Sequence, residues 1–330
     1  MLNPYLEEIK KFVSFSEKYL LLAAVLNEQF NLKANSVSCV ETLINKHKMR
    51  QVLKEYQTFF SQLTDTQDLK EFLLSVDFDV IVKPVDGTGS RLIGRYIVGQ
   101  TNVDDFVQQY SALKEVLVEE YIRGKEYSVE SISENGKHQI IAITEKFIDE
   151  NFVEVAHISP ANISDSMKNS ISDYVIEFLD RMQMQEGCGH TEIIINDKGI
   201  YVVEGHPRTG GDRIVSLVRL TTGIDLIEAY LYQLSYQSYP IQHVRAKFAQ
   251  TLFINFKEGS TYLGLPNLMK YCSHLDEIEV NVKIGAQVEK PLYSSMRHVM
   301  IVLYAKDYEQ CKFLAHTIKN IFLENSVDKN

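Results

Sequence analysis

Apolar positions recur at helical spacing over the first sixty residues and then change period. "EKYLLLAAVLNEQFNL" is rich in strong helix formers, and "NKHKMRQVLKEYQTFF" carries apolar residues every three or four positions, so both are expected as helices. "DLKEFLLSV" continues the helical pattern, and "FDVIVKPV" then begins a run of strand patterns broken by "DGTGS". "RLIGRYIVG" and "VLVEEYI" read as strands on either side of a helix near "NVDDFVQQYSAL". A hairpin runs from "EYSVESIS" through "ENGK" to "HQIIAITEKF". "ISDYVIEFLDRMQ" and "IVSLVRLTTGIDLIEAYLYQL" are expected as helices, and the last ninety residues as short strands closed by the helix "DYEQCKFLAHTIKNIFLE". The mixture and order of elements predict an α+β class, without internal repeats or low-complexity tracts.

One hairpin carries candidate chemistry. "HTEIIIN" and "IYVVEG" flank "DKG", which reads as a three-residue turn with glycine where a positive φ is wanted. With the turn centred on Lys198, Asn196 faces Ile200, Ile194 faces Val202 and Glu192 faces Glu204, all on one side of the sheet. Directly opposed Cβ atoms lie about 4.5–5.5 Å apart, so two ionised carboxylates there repel. A divalent cation between them removes the repulsion, and Mg²⁺ takes one or two carboxylates together with substrate phosphates. On a solvent-facing hairpin the acids would instead diverge into water; the Ile and Val residues on both faces argue against that. A one-residue slip would send one acid to the other face.

Composition narrows the function classes. The chain has 330 residues, 45% hydrophobic and 24% charged, with a net charge of −10. That balance argues against a general binder of nucleic acid or membrane surfaces, because phosphate affinity comes mainly from clustered Lys and Arg. Cys39, Cys188, Cys272 and Cys311 are scattered with no CxxC pair, which suits a reducing cytoplasm better than a zinc site or disulfide scaffold. No signal-peptide pattern is visible, and "YLLLAAVL" is too short to span a bilayer. A cytoplasmic location is the expectation.

Two further stretches could meet a nucleotide. In "IVKPVDGTGSRLIG", Gly87, Thr88, Gly89 and Ser90 form a loop whose amides can approach phosphates, with Lys83 just before it. The loop lacks Gly-Lys-Ser/Thr and leads into a strand, so it is neither a P-loop nor a Rossmann turn, and it also reads as an ordinary hairpin turn. In "VLVEEYIRGKEYSVE", the end of a strand could offer backbone groups to an adenine edge and Glu126 could accept from ribose hydroxyls; the plain reading is a strand end.

Taken in order, Asn45-Lys46, Lys83-Pro84 with its glycine loop, "VEEYIRGKE", the Glu192/Glu204 pair and "EGHPRTGGD" with Arg208 resemble the ATP-grasp superfamily. The likeness is to its carboxylate–amine ligase branch of the L-amino-acid ligase type, and more distantly to biotin carboxylase and carbamoyl-phosphate synthetase. It spans roughly residues 15 to 320, and "TEKF…FVEVAHISPA" shares it. The resemblance implies an ATP-grasp fold, two α+β subdomains gripping ATP between antiparallel sheets. Segment 1–60 would be a helical remnant of the preceding domain, 61–125 the small subdomain with the lid, 126–240 the large subdomain with the metal site, and 241–330 a C-terminal α+β subdomain.

The resemblance also implies a reaction: a small carboxylate, expected to be an amino acid, attacks the γ-phosphate of ATP, ADP leaves, and an amine displaces phosphate to form an amide. Lys46 and Lys83 would hold phosphates under the 87–90 loop. Glu119, Glu120, Tyr121 and Ile122 would frame the adenine, with Glu126 at the ribose. Glu192 and Glu204 would bridge Mg²⁺, or Mn²⁺, with His206 as a further candidate ligand. Arg208 would steady the transferred phosphoryl group, Lys146 would add positive charge, and Glu154 and His157 would meet the acceptor.

Three departures accompany the likeness. His206 stands where such sequences usually carry Asn, and an imidazole prefers softer ions than Mg²⁺. Leu92 stands where a glycine is frequent. Only 44 residues precede Asn45, so most of the usual upstream domain is expected to be missing, with a homodimer or a separate chain as the partners this leaves open. The alternative function is therefore an ATP-binding subunit or degenerate member that needs a partner chain; a biotin-dependent carboxylase is the weaker third option.

Overall fold

The computed structural model describes residues 8–54, 60–63, 65–85, 92–150, 152–291 and 294–328. Three helices open the chain: α1 (Glu17–Gln29), α2 (Val37–Ile44) and α3 (Lys46–Leu53). Ser36 caps α2 through Cys39 N–H, and Asn45 caps α3 by accepting from Lys48 N–H at 2.9 Å. The Asn45 oxygen is thereby spent on the helix, and Lys46 becomes its first residue.

A small sheet follows. Strand β1 (Phe60–Leu63), helix α4 (Thr66–Ser75), strands β2 (Val80–Pro84) and β3 (Gly94–Tyr96), helix α5 (Val103–Gln108) and strand β4 (Val116–Glu120) form four antiparallel strands in the order β1–β4–β2–β3. Leu69 and Leu73 of α4, Phe106 and Val107 of α5 and Tyr110 just beyond it meet Val80, Val82, Val116 and Val118 in its core.

The larger sheet has eight antiparallel strands. It uses β5 (Lys125–Glu134), β6 (Lys137–Ile148), β7 (Glu154–Ser159), β8 (Gly187–Asn196), β9 (Gly199–His206), β10 (Phe248–Ile254), β11 (Leu275–Val280) and β12 (Val299–Ala305), in the order β11–β12–β10–β7–β6–β5–β8–β9. Strands from the 126–240 and 241–330 segments thus share one sheet. Helix α6 (Asp165–Arg181) buries Ile171, Val175, Phe178 and Leu179 against β5, β8 and β9, joined by Leu43 and Met49 of the opening helices. Helices α7 (Ile214–Thr222), α8 (Leu226–Leu234) and α9 (Tyr308–Asn325) complete the layers. Among the described residues no helix is long and apolar enough to cross a membrane.

The structure departs from the sequence pattern in three places. The helical pattern expected through Phe60 stops at Leu53, and Phe60 already opens β1, where it pairs with Glu119 of β4 and its ring meets that of His47 edge-on at 5.9 Å. The strand expected over 91–99 shrinks to Gly94–Tyr96. Leu92 explains part of this, for its φ of +54° is left-handed backbone that glycine adopts without steric cost.

The third departure concerns the β8–β9 hairpin. Its turn has two residues rather than three: Asn196 pairs with Gly199 and Ile194 with Tyr201, one step out of the expected register. A bulge between Glu192 and Ile193 then absorbs Val203, and beyond it Glu192 faces Glu204 as expected. The bulge restores the register that the shorter turn had shifted.

Candidate active site

One cavity lies between the two sheets, bordered by α3, the ends of β2 and β4, and strands β5, β6, β8 and β9. Lys46, Lys83 and Lys146 line it, as do Glu192 and Glu204. So do Glu119, Glu120, Tyr121, Ile122, Glu126 and Glu154. Residues spread over 159 positions of sequence therefore converge, each delivered by the end or face of a regular element.

The paired acids are arranged alike. Glu192 Oε2 meets Lys146 Nζ at 2.6 Å, and its Oε1 meets His190 Nε2 at 3.3 Å. Glu204 Oε2 meets Lys46 Nζ at 2.9 Å, and its Oε1 meets His206 Nε2 at 3.1 Å. Burial pushes both carboxyl pKa values up, but these cations overcome it, holding Glu192 at about 2 and Glu204 well below the usual range. Conversely, burial works against the Lys46 and Lys146 ammonium groups, and the facing glutamates raise both pKa values in spite of it. His190 lies 2.6 Å from Glu130, and against its burial that carboxylate lifts the imidazole pKa to about 10. Ionised, opposed and oxygen-only, Glu192 and Glu204 are a donor set for a hard divalent ion. Among the described residues no group of three or more His, Cys, Asp or Glu side chains is arranged to hold a metal; a hard divalent ion held by two carboxylates takes water and substrate phosphate oxygens as well.

A second buried cluster lies across the cavity. Glu119 takes both Lys83 and Arg50, and Arg50 also donates to Val203 O at 2.8 Å. Burial raises the Glu119 pKa, yet the two cations bring it down to about 2. Lys83 is less favoured: burial lowers its pKa, and Arg50 and Lys46 add to that, against the single carboxylate of Glu119. Arg50 carries no signal in the sequence beyond an ordinary basic helix position, and its partner is 69 residues away.

At the other end, Tyr121 N–H donates to Asp79 O at 2.8 Å, and the Arg95 guanidinium stacks 4.0 Å above the Tyr121 ring. Phe152 meets that ring edge-on at 6.3 Å and lines the cavity with Ile148 and Tyr201. No pattern in the sequence singles out these three. Burial raises the pKa of Glu126, with Lys146 3.9 Å away in partial compensation.

Three candidates lie outside the cavity lining. His157 is buried, its Nε2 3.2 Å from Asp212, which also holds Arg297. His206 is buried against His190, the rings stacked at 6.3 Å, with its Nε2 on Glu204 and its Nδ1 3.5 Å from Glu17. Arg208 reaches Glu17 Oε2 at 2.6 Å and borders a separate small cavity near Leu20 and Tyr230. Gly87, Thr88, Gly89 and Ser90 lie outside the described residues.

Residues 76–216 match the ATP-grasp domain family. An alanine–anticapsin ligase of Bacillus amyloliquefaciens is 22% identical over 246 residues, which are 66% of this chain and 52% of that protein. A D-alanine–D-alanine ligase of Pediococcus pentosaceus is 24% identical over 148 residues, 42% of this chain and 40% of that protein. The chain thus spans about half the length, or less, of these curated relatives. An L-amino acid ligase from Bacillus licheniformis has the same fold, with a TM-score of 0.78 at 20% identity over 97% of this chain and 81% of that one.

Proposed function

We propose that this chain, whose residues 76–216 match the ATP-grasp domain family, is an ATP-dependent carboxylate–amine ligase. Its acid substrate is a small carboxylate, an amino acid in the leading form of the proposal, and its products are an amide, ADP and phosphate. The alanine–anticapsin and D-alanine–D-alanine ligases among its relatives support that substrate class.

The observation that carries the proposal is the convergence of Lys46, Lys83 and Lys146 on a cavity that also holds the opposed Glu192 and Glu204. Fixed charge aimed at a transferring phosphoryl group is the main service a protein can offer this chemistry. A bound Mg²⁺ or Mn²⁺ would supply neutralisation of the phosphate oxygens, with Glu192 and Glu204 as its protein ligands. Lys46 and Lys146 would then exchange their glutamate partners for phosphate oxygens, and Lys83 would serve the phosphates from β2. The end of β4, at Glu120, Tyr121 and Ile122, would frame the base, with Phe152 closing the apolar side.

In the proposed reaction the substrate carboxylate oxygen forms a bond to the γ-phosphorus while the bond to ADP breaks. The amine then attacks the acyl carbon, phosphate leaves with the bonding pair, and the nitrogen loses its proton to solvent or a nearby base. Arg208 would take part only after parting from Glu17.

One observation favours the second reading, a nucleotide-binding subunit: Arg208 is engaged by Glu17 away from the cavity. Incubating the protein with ATP, Mg²⁺ and pairs of amino acids separates the two. Release of ADP and phosphate that needs both an acid and an amine supports the ligase, whereas ATP binding without turnover supports the subunit.

A further inference from the structure

Behind each of the paired carboxylates stands an imidazole, and behind each imidazole a second carboxylate. Glu130 of β5 is opposite His190 of β8, and His190 is opposite His206 of β9, so these three form one row across the sheet. Ser128, Glu192 and Glu204 form the adjacent row on the same face. Within the first row Glu130 meets His190 at 2.6 Å, and His190 reaches across to Glu192 of the second row at 3.3 Å. On the other strand Glu17 stands 3.5 Å from His206, which meets Glu204 at 3.1 Å.

We infer that Glu130 and His190 are positioning residues, holding Glu192 in the orientation from which it takes up a divalent ion; this rests on the metal reading of Glu192 and Glu204. Glu130 is 0% exposed. A buried carboxylate is costly unless it is paired, and an apolar pair would serve packing as well. The neighbouring loop is built onto this pair. Gly210 N–H donates to Glu130 Oε2 at 3.3 Å, and a Cβ at Gly210 would stand 2.7 Å from His190 Nδ1. Only glycine lets the backbone pass there.

The two oxygens of Glu192 have partners of different kinds. Oε1 is held by a ring that is itself fixed by Glu130, while Oε2 is held by the flexible stem of Lys146. The lysine is the exchangeable partner and the imidazole the fixed one. Outer groups that orient a metal ligand in this way typically change metal affinity 10- to 100-fold. The Glu17–His206 contact is longer, and Glu17 is more exposed, so the inference is drawn for Glu130 and His190.

The test uses the full chain and Mn²⁺ as probe, with free Mn²⁺ followed by electron paramagnetic resonance in the presence of ADP. His190→Gln is expected to weaken Mn²⁺ binding about 10- to 100-fold, with ADP binding in the absence of metal unchanged. Glu130→Gln conserves volume and an acceptor for Nδ1, so it carries the test if His190→Gln does not fold, and a several-fold weakening is expected. Saturating Mg²⁺ should restore turnover in both variants. If both melt earlier but bind Mn²⁺ as the parent does, the pair is merely structural and the inference is overturned. Glu192→Ala is the control. If it too leaves Mn²⁺ binding unchanged, the metal reading itself fails; if it abolishes binding while the other two do not, only the present inference fails.

Discussion

Glu192 and Glu204 face each other across β8 and β9, yet each spends one oxygen on a lysine and the other on an imidazole. The mutual repulsion of two buried carboxylates is thus answered from within the chain. Removing one acid should therefore be felt by its cation. Glu204→Ala leaves the buried Lys46 without its closest anion, and a loss of about 3–5 kcal/mol is expected from breaking such a pair. Urea unfolding measures it, and a loss under about 1 kcal/mol would show that solvent or another acid takes over.

Arg50 should behave as a fastener between elements. It joins α3 to Glu119 on β4 and to the Val203 carbonyl on β9, so Arg50→Ala should destabilise by about 3–5 kcal/mol. Arg50→Lys should recover little, since a single ammonium cannot reach both partners as a planar guanidinium does. Equal stability of Arg50→Lys and the parent, read by denaturant midpoint, would contradict this role.

Gly205 is the residue between Glu204 and His206, and its backbone lies against the α6 ring. A Cβ there would stand 2.6 Å from Phe178 Cζ and 3.2 Å from Leu43 Cδ2. Gly205→Ala should cost about 1–3 kcal/mol through overpacking and should be rescued in part by Phe178→Leu. An unchanged melting temperature for the single variant would refute the contact.

Stability should fall at both ends of the pH scale. Burial opposes the Glu119 charge, but Arg50 and Lys83 bring its pKa from 4.5 to about 2. A depressed carboxyl pKa gives stability that is present above 4.5 and lost as pH falls towards 2, roughly 3 kcal/mol for this group. His190 has the opposite sign. Its pKa rises from 6.5 to about 10, against burial, because of Glu130, so its contribution is full below 6.5 and lost as pH climbs through 10. Thermal unfolding from pH 3 to 10 measures both limbs, and Glu130→Gln should flatten the alkaline one.

The elements that were legible in the sequence are those with a strong local period. The β5–β6 hairpin, the α7–α8 pair and α9 fall where the apolar spacing puts them, whereas α6 begins at Asp165, ahead of the stretch from Ile171 that the pattern marks. Strand alternation also brought Glu192 opposite Glu204, although by way of a three-residue turn that is not there. The two-residue turn and the bulge at Val203 shift the register by one step each and cancel. Arg50, Glu17 and Phe152 were not legible, because each matters through a partner far along the chain: Glu119, Arg208 and Tyr121. Arg208 stood out as a charge beside glycines, but sequence carries no sign that an acid 191 residues earlier would meet it.

The most direct measurement is product analysis after incubation with ATP, Mg²⁺ and a panel of amino-acid pairs, with Glu204→Ala alongside. The account predicts ADP and phosphate in step with amide, dependent on both acid and amine and lost in the variant. AMP and pyrophosphate, or turnover that survives Glu204→Ala, would contradict it.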